Sequence, residues 1–206
     1  SSSTATPAFA GSDFRQEPAI NAWKASDPSV TMVNADYTEQ GLTARFIVAA
    51  KATDLGNGTW DYEYAVRNMN SHRSAQAFAV PMSGTQLPTN RGFRDVHYHS
   101  GDGENSVNFS STDWSNAFID GWYLWHTETH AQNSNANALR WGTMYNFRFR
   151  STLPPTTGDA RIVLFRPGQP GEPNEVIASG LPVPTVTTPC AADFDGNGDV
   201  EVPDIF

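Results

Sequence analysis

Apolar and polar residues alternate with a period of two over several short segments of the chain. In residues 43–50 and residues 59–67, every second side chain is apolar or aromatic. This pattern is typical of β-strands with one buried face and one solvent-exposed face. The Asn57-Gly58 pair between the two segments predicts a hairpin, because both residue types tolerate the positive φ that tight turns require.

The alternation continues along the chain and predicts an all-β protein. It is clearest in residues 144–151, where Tyr145, Phe147 and Phe149 alternate with polar side chains. Further strands are predicted at residues 74–80, 95–99, 121–127, 161–166 and 175–179. Many short strands separated by turn residues favour an antiparallel β-sandwich, of jelly-roll or immunoglobulin-like type.

The domain organisation follows from composition shifts along the chain. Residues 1–180 are predicted to form the sandwich, with an extended N-terminal arm. Two polar stretches within it, residues 100–116 and 130–137, are predicted surface loops, where binding function usually lies. Residues 181–189 are rich in Pro and Thr and are predicted to form a semi-rigid linker. Residues 190–206 follow as a small separate unit.

Composition and charge narrow the classes of function. The chain has 206 residues, 13 Lys plus Arg and a net charge of -9, so nucleic-acid binding is not expected. Membrane insertion is not expected either, because no apolar run approaches the ~20 residues that a spanning helix needs. Aromatic residues make up 12% of the chain, enough to build a core from few large side chains. Cys190 is the single cysteine, which excludes an intrachain disulfide.

The strongest motif is a calcium loop at residues 193–204. Ca²⁺ takes about six to eight oxygen ligands, and a twelve-residue loop supplies them from alternate positions with glycine at the sixth. Gly198 occupies that sixth position. The oxygen donors at this spacing are Asp193, Asp195, Asn197, Asp199 through its backbone carbonyl, Glu201 directly or through water, and Asp204. The spacing therefore predicts a bound Ca²⁺ ion.

Residues 193–206 resemble the first repeat of a dockerin, whose loops end in Asp where an EF-hand has Glu. In that family the loop leads into a helix, and two repeats pack together to bind a cohesin. This sequence stops at Phe206, where that helix would begin, so residues 190–206 are interpreted as a truncated repeat. Similar loops close many secreted bacterial proteins, and the resemblance therefore implies a secreted, extracellular or cell-surface protein.

Histidines form a second group of candidate ligands. His97 and His99 share one face of a predicted strand, and His126 and His130 lie near the end of another. These side chains would form a second metal or polar site if the two segments meet. The alternative is ordinary exposed or hydrogen-bonded histidines, since the spacing matches no standard ligand motif.

No complete catalytic set stands out. Asp61 and Glu63 share a predicted strand face, but nothing singles them out as a glycosidase pair. No nucleophile elbow and no phosphate-binding loop occur. The residue types that sandwich-fold lyases combine are present in His97, Tyr98, Arg94 and Asn108.

Exposed aromatic rings would provide platforms for sugar rings. The candidates are Trp122, Trp125 and Trp141. If residues 121–125 form a strand, Trp122 and Trp125 lie on opposite faces, and one face belongs to the core. Asn57 and Asn108 begin sequences of the N-glycosylation type.

Three functions are compatible with these observations. The first is a non-catalytic structural or adhesive extracellular protein, whose termini contact other copies of the chain or other extracellular proteins. The alternative is a carbohydrate-binding module of a secreted polysaccharide-degrading system, with glycans as ligands. A polysaccharide lyase or hydrolase that uses the face of His97 and His99 is the third.

Overall fold

A computed structural model describes residues 16–83, 86–99, 101 and 103–186. It confirms the predicted antiparallel β-sandwich, with two sheets of five strands each. The elements are α1 (Ala19–Ser26), β1 (Thr31–Glu39), β2 (Leu42–Asp54), β3 (Trp60–Asn68), β4 (Ala75–Pro81), β5 (Thr89–Arg94), a 3₁₀ turn (Glu104–Ser106), β6 (Ser115–Ile119), β7 (Trp122–His126), β8 (Met144–Ser151), β9 (Pro155–Leu164) and β10 (Glu175–Pro184). No helix among these residues is long and apolar enough to cross a membrane.

The strand order places two strand edges together on each side of the sandwich. The first sheet has the order β1-β2-β3-β8-β5, and the second has the order β10-β9-β4-β7-β6. Strand β1 lies against β10 on one side. On the other side Arg91 of the β5 strand donates a 3.0 Å hydrogen bond to Asn116 of β6. The two sheets are therefore held together at both margins.

The core is built from the aromatic residues that the alternation placed on one face. Tyr62 of β3 stacks on Phe149 of β8 with ring centroids 5.0 Å apart. Phe78 of β4 crosses the sandwich to Phe147 of β8 at 4.9 Å. All four side chains are at most 1% exposed. Each such pair contributes about 0.5–1.5 kcal/mol beyond the area it buries.

Helix α1 packs on the outer face of the first sheet. Its Ile20 is 1% exposed and lies over Ile47, Ala49 and Ala65, which occupy the outward-facing positions of β2 and β3. Small side chains there let the helix approach the strands closely. Trp23 packs partly against the same cluster. The helix thus covers one part of this face and leaves the part toward β5 open.

Two predicted segments have a different structure, and β9 begins at Pro155, six residues before the strand predicted at 161–166. Residues 95–99 are not a strand; β5 lies just before them, and the backbone N–H of Tyr98 donates to the Ser111 hydroxyl at 3.1 Å instead of to a neighbouring strand. Residues 181–184 are not a linker but the end of β10, where Leu181 and Val183 are buried in the core. Their two prolines are tolerated because β10 is an edge strand.

The remaining predictions on domain organisation fall on other parts of the chain. Residues 1–15 and 187–206 lie outside the described residues. The N-terminal arm, the rest of the linker at 187–189 and the calcium unit at 190–206 are predicted in these parts of the chain. The described residues of the two polar stretches form no strand before Ser115, where β6 begins, and Ala136 and Asn137 at the end of the second stretch are buried.

Candidate functional site

An open groove of about 490 Å³ crosses the outer face of the first sheet, between helix α1 and the edge strand β5. We call it the Trp23 groove, after the helix residue in its wall. The side chains and backbone that line it include Trp23, Glu63, Gly92, Arg94, Asn146 and Arg148.

The strand register explains why these residues meet. Glu63 of β3 lies directly opposite Arg148 of β8, and Arg148 lies opposite Gly92 of β5. One step along, Asn146 lies opposite Arg94. Directly opposed residues have Cβ atoms about 4.5–5.5 Å apart. The floor of the groove therefore consists of closely spaced polar side chains on three adjacent strands.

Gly92 makes room for the side chain of Arg148. A Cβ atom on Gly92 would lie 2.8 Å from Arg148 Cγ and 3.1 Å from its Cδ, closer than such atoms approach. The pairing of β5 with β8 also shifts register between Thr89 and Gly92, as in a β-bulge. The aliphatic part of Arg148 consequently lies flat against β5, and its guanidinium group stays exposed.

The charges next to the groove are neutralised by close ion pairs. Lys51 Nζ lies 2.6 Å from Asp27 Oδ2, and this hydrogen bond is the main reason that the pKa of Asp27 falls to about 2. Arg150 donates two hydrogen bonds, of 2.7 and 2.9 Å, to Asp61. These bonds lower the pKa of Asp61 and raise the pKa of Arg150.

The charged groups inside the groove differ from their neighbours. Within the described part of the chain, Glu63, Arg94 and Arg148 form no hydrogen bond or salt bridge with one another or with other side chains. All three are exposed. The groove therefore offers unengaged guanidinium donors, an amide at Asn146, a carboxylate acceptor and one indole ring. This arrangement suits the binding of a polar ligand with apolar faces.

The structure does not bring three or more of the four predicted histidines together. His97 and His99 are exposed in the segment after β5, whereas the ring of His130 packs edge-on against Phe165 at 5.1 Å. His126 lies on β7, in the other sheet, with its Nδ1 3.4 Å from the Thr127 carbonyl oxygen. No three His, Cys, Asp or Glu side chains among the described residues are close enough to hold a metal ion.

The three predicted tryptophan platforms have different environments. Trp125 is 1% exposed and packs in the core, so the prediction that it stacks on glycans is wrong; inward-facing positions of β7 carry Tyr123 and Trp125. Trp122 lies on the outer face of the second sheet, where the guanidinium carbon of Arg161 sits 3.9 Å from its ring centre. Trp141 is 71% exposed in the turn before β8.

Both predicted glycosylation asparagines are exposed and already accept hydrogen bonds. Asn57 Oδ1 accepts from the backbone and hydroxyl of Thr59, at 3.2 and 2.6 Å, inside the predicted hairpin. The positive φ angles of that turn belong to Gly56 and Gly58. Asn108 Oδ1 accepts from the Gly101 N–H at 2.7 Å. Modification of either asparagine stays a prediction.

The candidate catalytic residues do not converge on one cleft. Arg94 lines the groove, but the Tyr98 hydroxyl points inward, 3.2 Å from the Tyr145 hydroxyl, and burial raises the pKa of Tyr98. Asp61 is held by Arg150, which separates it chemically from Glu63. The structure thus assembles neither the lyase-type set that includes Tyr98 nor the acid pair of Asp61 and Glu63.

Sequence reasoning missed the groove as a unit. The alternation in β8 correctly places Asn146 and Arg148 on the outward face. Trp23 and Gly92 carry no local signal that links them to that face, because α1 and β5 reach it only in the folded chain.

The calcium ligands Asp193 to Asp204 lie outside the described residues, so the Ca²⁺ site stays a sequence prediction. No family model matches the chain, and no curated protein matches it either.

Proposed function

We propose that this β-sandwich is a non-catalytic module of a secreted protein, and that it binds a carbohydrate in the Trp23 groove. The observation that carries this proposal is the position of Trp23 beside unengaged polar side chains on the open face of a sheet. Sugar rings have apolar faces that pack on indole, and their hydroxyls exchange hydrogen bonds with guanidinium, amide and carboxylate groups.

The architecture of the floor favours binding over hydrolysis. Hydrolysis of a glycosidic bond commonly uses two carboxyl groups that face each other across the sugar. Glu63 is the one acid among the described residues that line the groove. Asp61, two positions away on the same strand face, lies outside the groove, and both its oxygens accept from Arg150. Glu63 is instead placed to accept hydrogen bonds from hydroxyl groups.

The extracellular setting is supported by the C-terminal motif alone. The spacing of Asp193, Asp195 and Asn197 resembles a dockerin loop, and such loops close secreted proteins. In this proposal the loop binds Ca²⁺ and serves as an attachment or stabilising unit, while the sandwich recognises the glycan.

Binding assays on matched tryptophan variants test the proposal. The native chain is screened against a panel of plant, algal and bacterial glycans, and each hit is measured by titration calorimetry. Replacing Trp23 with Ala is expected to weaken binding at least about ten-fold, because the stacking surface is lost. The matched control Trp141→Ala removes an indole that is 71% exposed elsewhere and leaves affinity unchanged. A native chain that binds no glycan, or a Trp23→Ala variant of unchanged affinity, contradicts the proposal.

A second candidate function, self-assembly into a structural array, is favoured by strand β6. This strand forms one edge of the second sheet, and its side chains Phe118 and Ile119 are 37% and 53% exposed. An exposed apolar edge strand can pair with the same strand of another copy. The termini predicted for this role lie outside the described residues. Light scattering over a range of concentrations should detect oligomers that Ile119→Lys abolishes; a native chain that is monomeric throughout contradicts this candidate.

A further inference from the structure

The charged side chains of the groove indicate which class of glycan it would bind. Resting on the proposed carbohydrate binding, we infer that the Trp23 groove selects an acidic glycan, whose carboxylate or sulfate groups bind between Arg94 and Arg148.

The two arginines are placed to bind one anion together. Arg94 lies opposite Asn146, and Arg148 lies opposite Gly92, so the two are diagonal neighbours on adjacent strands. Diagonal neighbours are about 7–8 Å apart at their backbones, within reach of a shared ligand for two long side chains. A guanidinium group binds a carboxylate or sulfate through two parallel N–H donors. The pair therefore forms a clamp for an anionic substituent.

Arg94 and Arg148 lack the close carboxylate that four other arginines in the described part of the chain have. The chain has 22 acidic residues against 13 basic ones, so carboxylates are plentiful. Other arginines lie within 4 Å of one, namely Arg45, Arg73, Arg150 and Arg161. Among the described residues Arg94 and Arg148 have no such carboxylate. Two exposed guanidinium groups with no carboxylate of the described residues within 4 Å, on adjacent strands of the groove floor, leave a position for an external anion.

The charge of Glu63 makes the two sides of the groove unequal for an anion. It lies opposite Arg148 on the β3 side, and its negative charge repels an anion placed above it. The favoured anion position is consequently on the β5 side, between Arg94 and Arg148. Helix α1 packs over β2 and β3, so Trp23 stands on the other side. The acidic substituent is expected at the β5 margin, and the sugar ring it belongs to, or the next one, against Trp23.

The negative net charge of the chain helps to distinguish specific from non-specific binding of an acidic glycan. At -9 the protein as a whole repels polyanions, so non-specific ionic binding is disfavoured. Tight binding of an acidic glycan then requires a local cationic site.

The experiment uses the complete 206-residue chain and glycans in charged and neutralised pairs. The carboxylate pair is oligogalacturonate and its methyl ester, and the sulfate pair is a κ-carrageenan oligosaccharide, which carries sulfate and no carboxylate, and its desulfated form. Cellohexaose and xylohexaose serve as neutral probes. At least one charged member is expected to bind about ten-fold or more tightly than its neutralised partner, and the pair concerned identifies the anion.

Substitutions then locate the anion. Arg94→Gln and Arg148→Gln are each expected to weaken the charged ligand about ten-fold and to leave its neutralised partner unaffected. Arg45→Gln, which removes an exposed arginine already paired with Asp36, is the matched control and should change nothing. Thermal unfolding of all three variants verifies that they remain folded.

The outcomes separate this inference from the proposed function. If neutral glycans bind as tightly as charged ones, Trp23→Ala abolishes binding and the arginine variants do not, the acidic-glycan inference is overturned and carbohydrate binding stands. If no glycan of either kind binds, both are overturned. Selective loss of the charged ligand in both arginine variants supports the inference.

Discussion

The side chain of Arg148 lies across the backbone of Gly92 on the neighbouring strand. A methyl group at Gly92 would meet Arg148 Cγ at 2.8 Å. Gly92 is thus one of the positions where the absence of a side chain directly determines where a functional group lies. The register shift between Thr89 and Gly92 places this glycine opposite Arg148 rather than opposite a neighbouring residue.

Gly92→Ala is expected to displace Arg148 and to weaken glycan binding by about three- to ten-fold, because the guanidinium group leaves its position against β5. Titration calorimetry measures the effect. The control is the same substitution in an Arg148→Ala background, where Gly92→Ala should have no further effect on affinity. Equal losses in both backgrounds would show that Gly92 acts independently of Arg148.

The buried Trp125 is expected to stabilise the fold. Its indole is 1% exposed and contacts the rings of Tyr123 and Phe147, at 4.9 and 5.3 Å between centroids. Trp125→Ala should lower the free energy of unfolding by about 3–5 kcal/mol, through lost burial and a residual cavity. Urea denaturation provides the measurement, with the exposed Trp141→Ala as control, expected within about 0.5 kcal/mol of the native chain. Similar midpoints for the two variants would contradict the assignment of Trp125 to the core.

A buried arginine closes one end of the sandwich. Arg73 is 3% exposed; its guanidinium donates to the carbonyl oxygens of Arg166 and Pro173 at 2.8 and 2.6 Å, and its backbone N–H donates to Glu39. Arg73→Met should lower the free energy of unfolding by about 2–4 kcal/mol, since a buried guanidinium group and two partly buried hydrogen bonds to carbonyl oxygens are lost. In the same denaturation series Arg45→Met, an exposed pair with Asp36, should be indistinguishable from the native chain. A native-like Arg73→Met would show that water replaces the guanidinium without cost.

The attachment of helix α1 should depend on pH. The hydrogen bond from Lys51 lowers the pKa of Asp27 from 3.8 to about 2. A lowered pKa means that the ionised form is favoured in the folded state, so the stabilisation is complete above pH 3.8 and is lost as the pH falls through about 2. Hydrogen exchange of α1 amides, corrected for intrinsic rates, should speed up over this interval.

The control for that experiment is Lys51→Met. Without the ammonium group, α1 should exchange faster at neutral pH and show a smaller further change on acidification. The same acid response in both proteins would mean that other carboxyl groups, and not Asp27, control the helix.

Calcium binding is expected from the C-terminal motif. Titration calorimetry on the native chain should detect one Ca²⁺ per loop, and Asp195→Ala should weaken it at least about ten-fold by removing one charged ligand. Asp159→Ala removes an exposed carboxylate from β9, outside the motif, and should leave the affinity unchanged. If the native protein binds no calcium, the interpretation of residues 193–206 as a dockerin-like loop loses its support.

Sequence alone predicts best a strand of which one face is buried and the other exposed. Strand β8 has the bounds expected, because its aromatic and polar side chains alternate without interruption. Strand β1 was missed because its buried face includes Glu39, which accepts hydrogen bonds from Tyr37 and Arg73. Strand β6 was missed because almost all its side chains are exposed.

A turn signal was present for β1 and for β6, whereas β5 was placed too late, at 95–99. Gln40-Gly41 and Asp120-Gly121 each connect two strands through a pair of residues with positive φ. Such two-residue turns favour glycine at the second position. The Asp-Gly pair in particular would have placed a hairpin before β7.

The site was less predictable than the fold because it depends on long-range packing. The alternation in β8 predicts that Arg148 points outward. The wall of the groove comes from a helix more than a hundred residues earlier, and no periodic pattern in the sequence links that helix to β8. An eight-residue helix also falls below the length at which helical periodicity is informative. The packing of Ile20 on Ala49 and Ala65 brings Trp23 to the floor strands, and the ion pair between Asp27 and Lys51 also holds the helix there.

The tryptophans occupy environments so different that the protein contains its own optical reporters. Trp114 and Trp125 are 4% and 1% exposed, whereas Trp141 is 71% exposed and Trp23 borders the groove. Indole emission shifts to longer wavelength as the surroundings become more polar, so the buried pair reports on loss of the core. A ligand that enters the groove would change the solvation of Trp23. The emission of the two buried tryptophans would not change on ligand binding. Unfolding and occupancy of the groove can therefore be followed separately without any label.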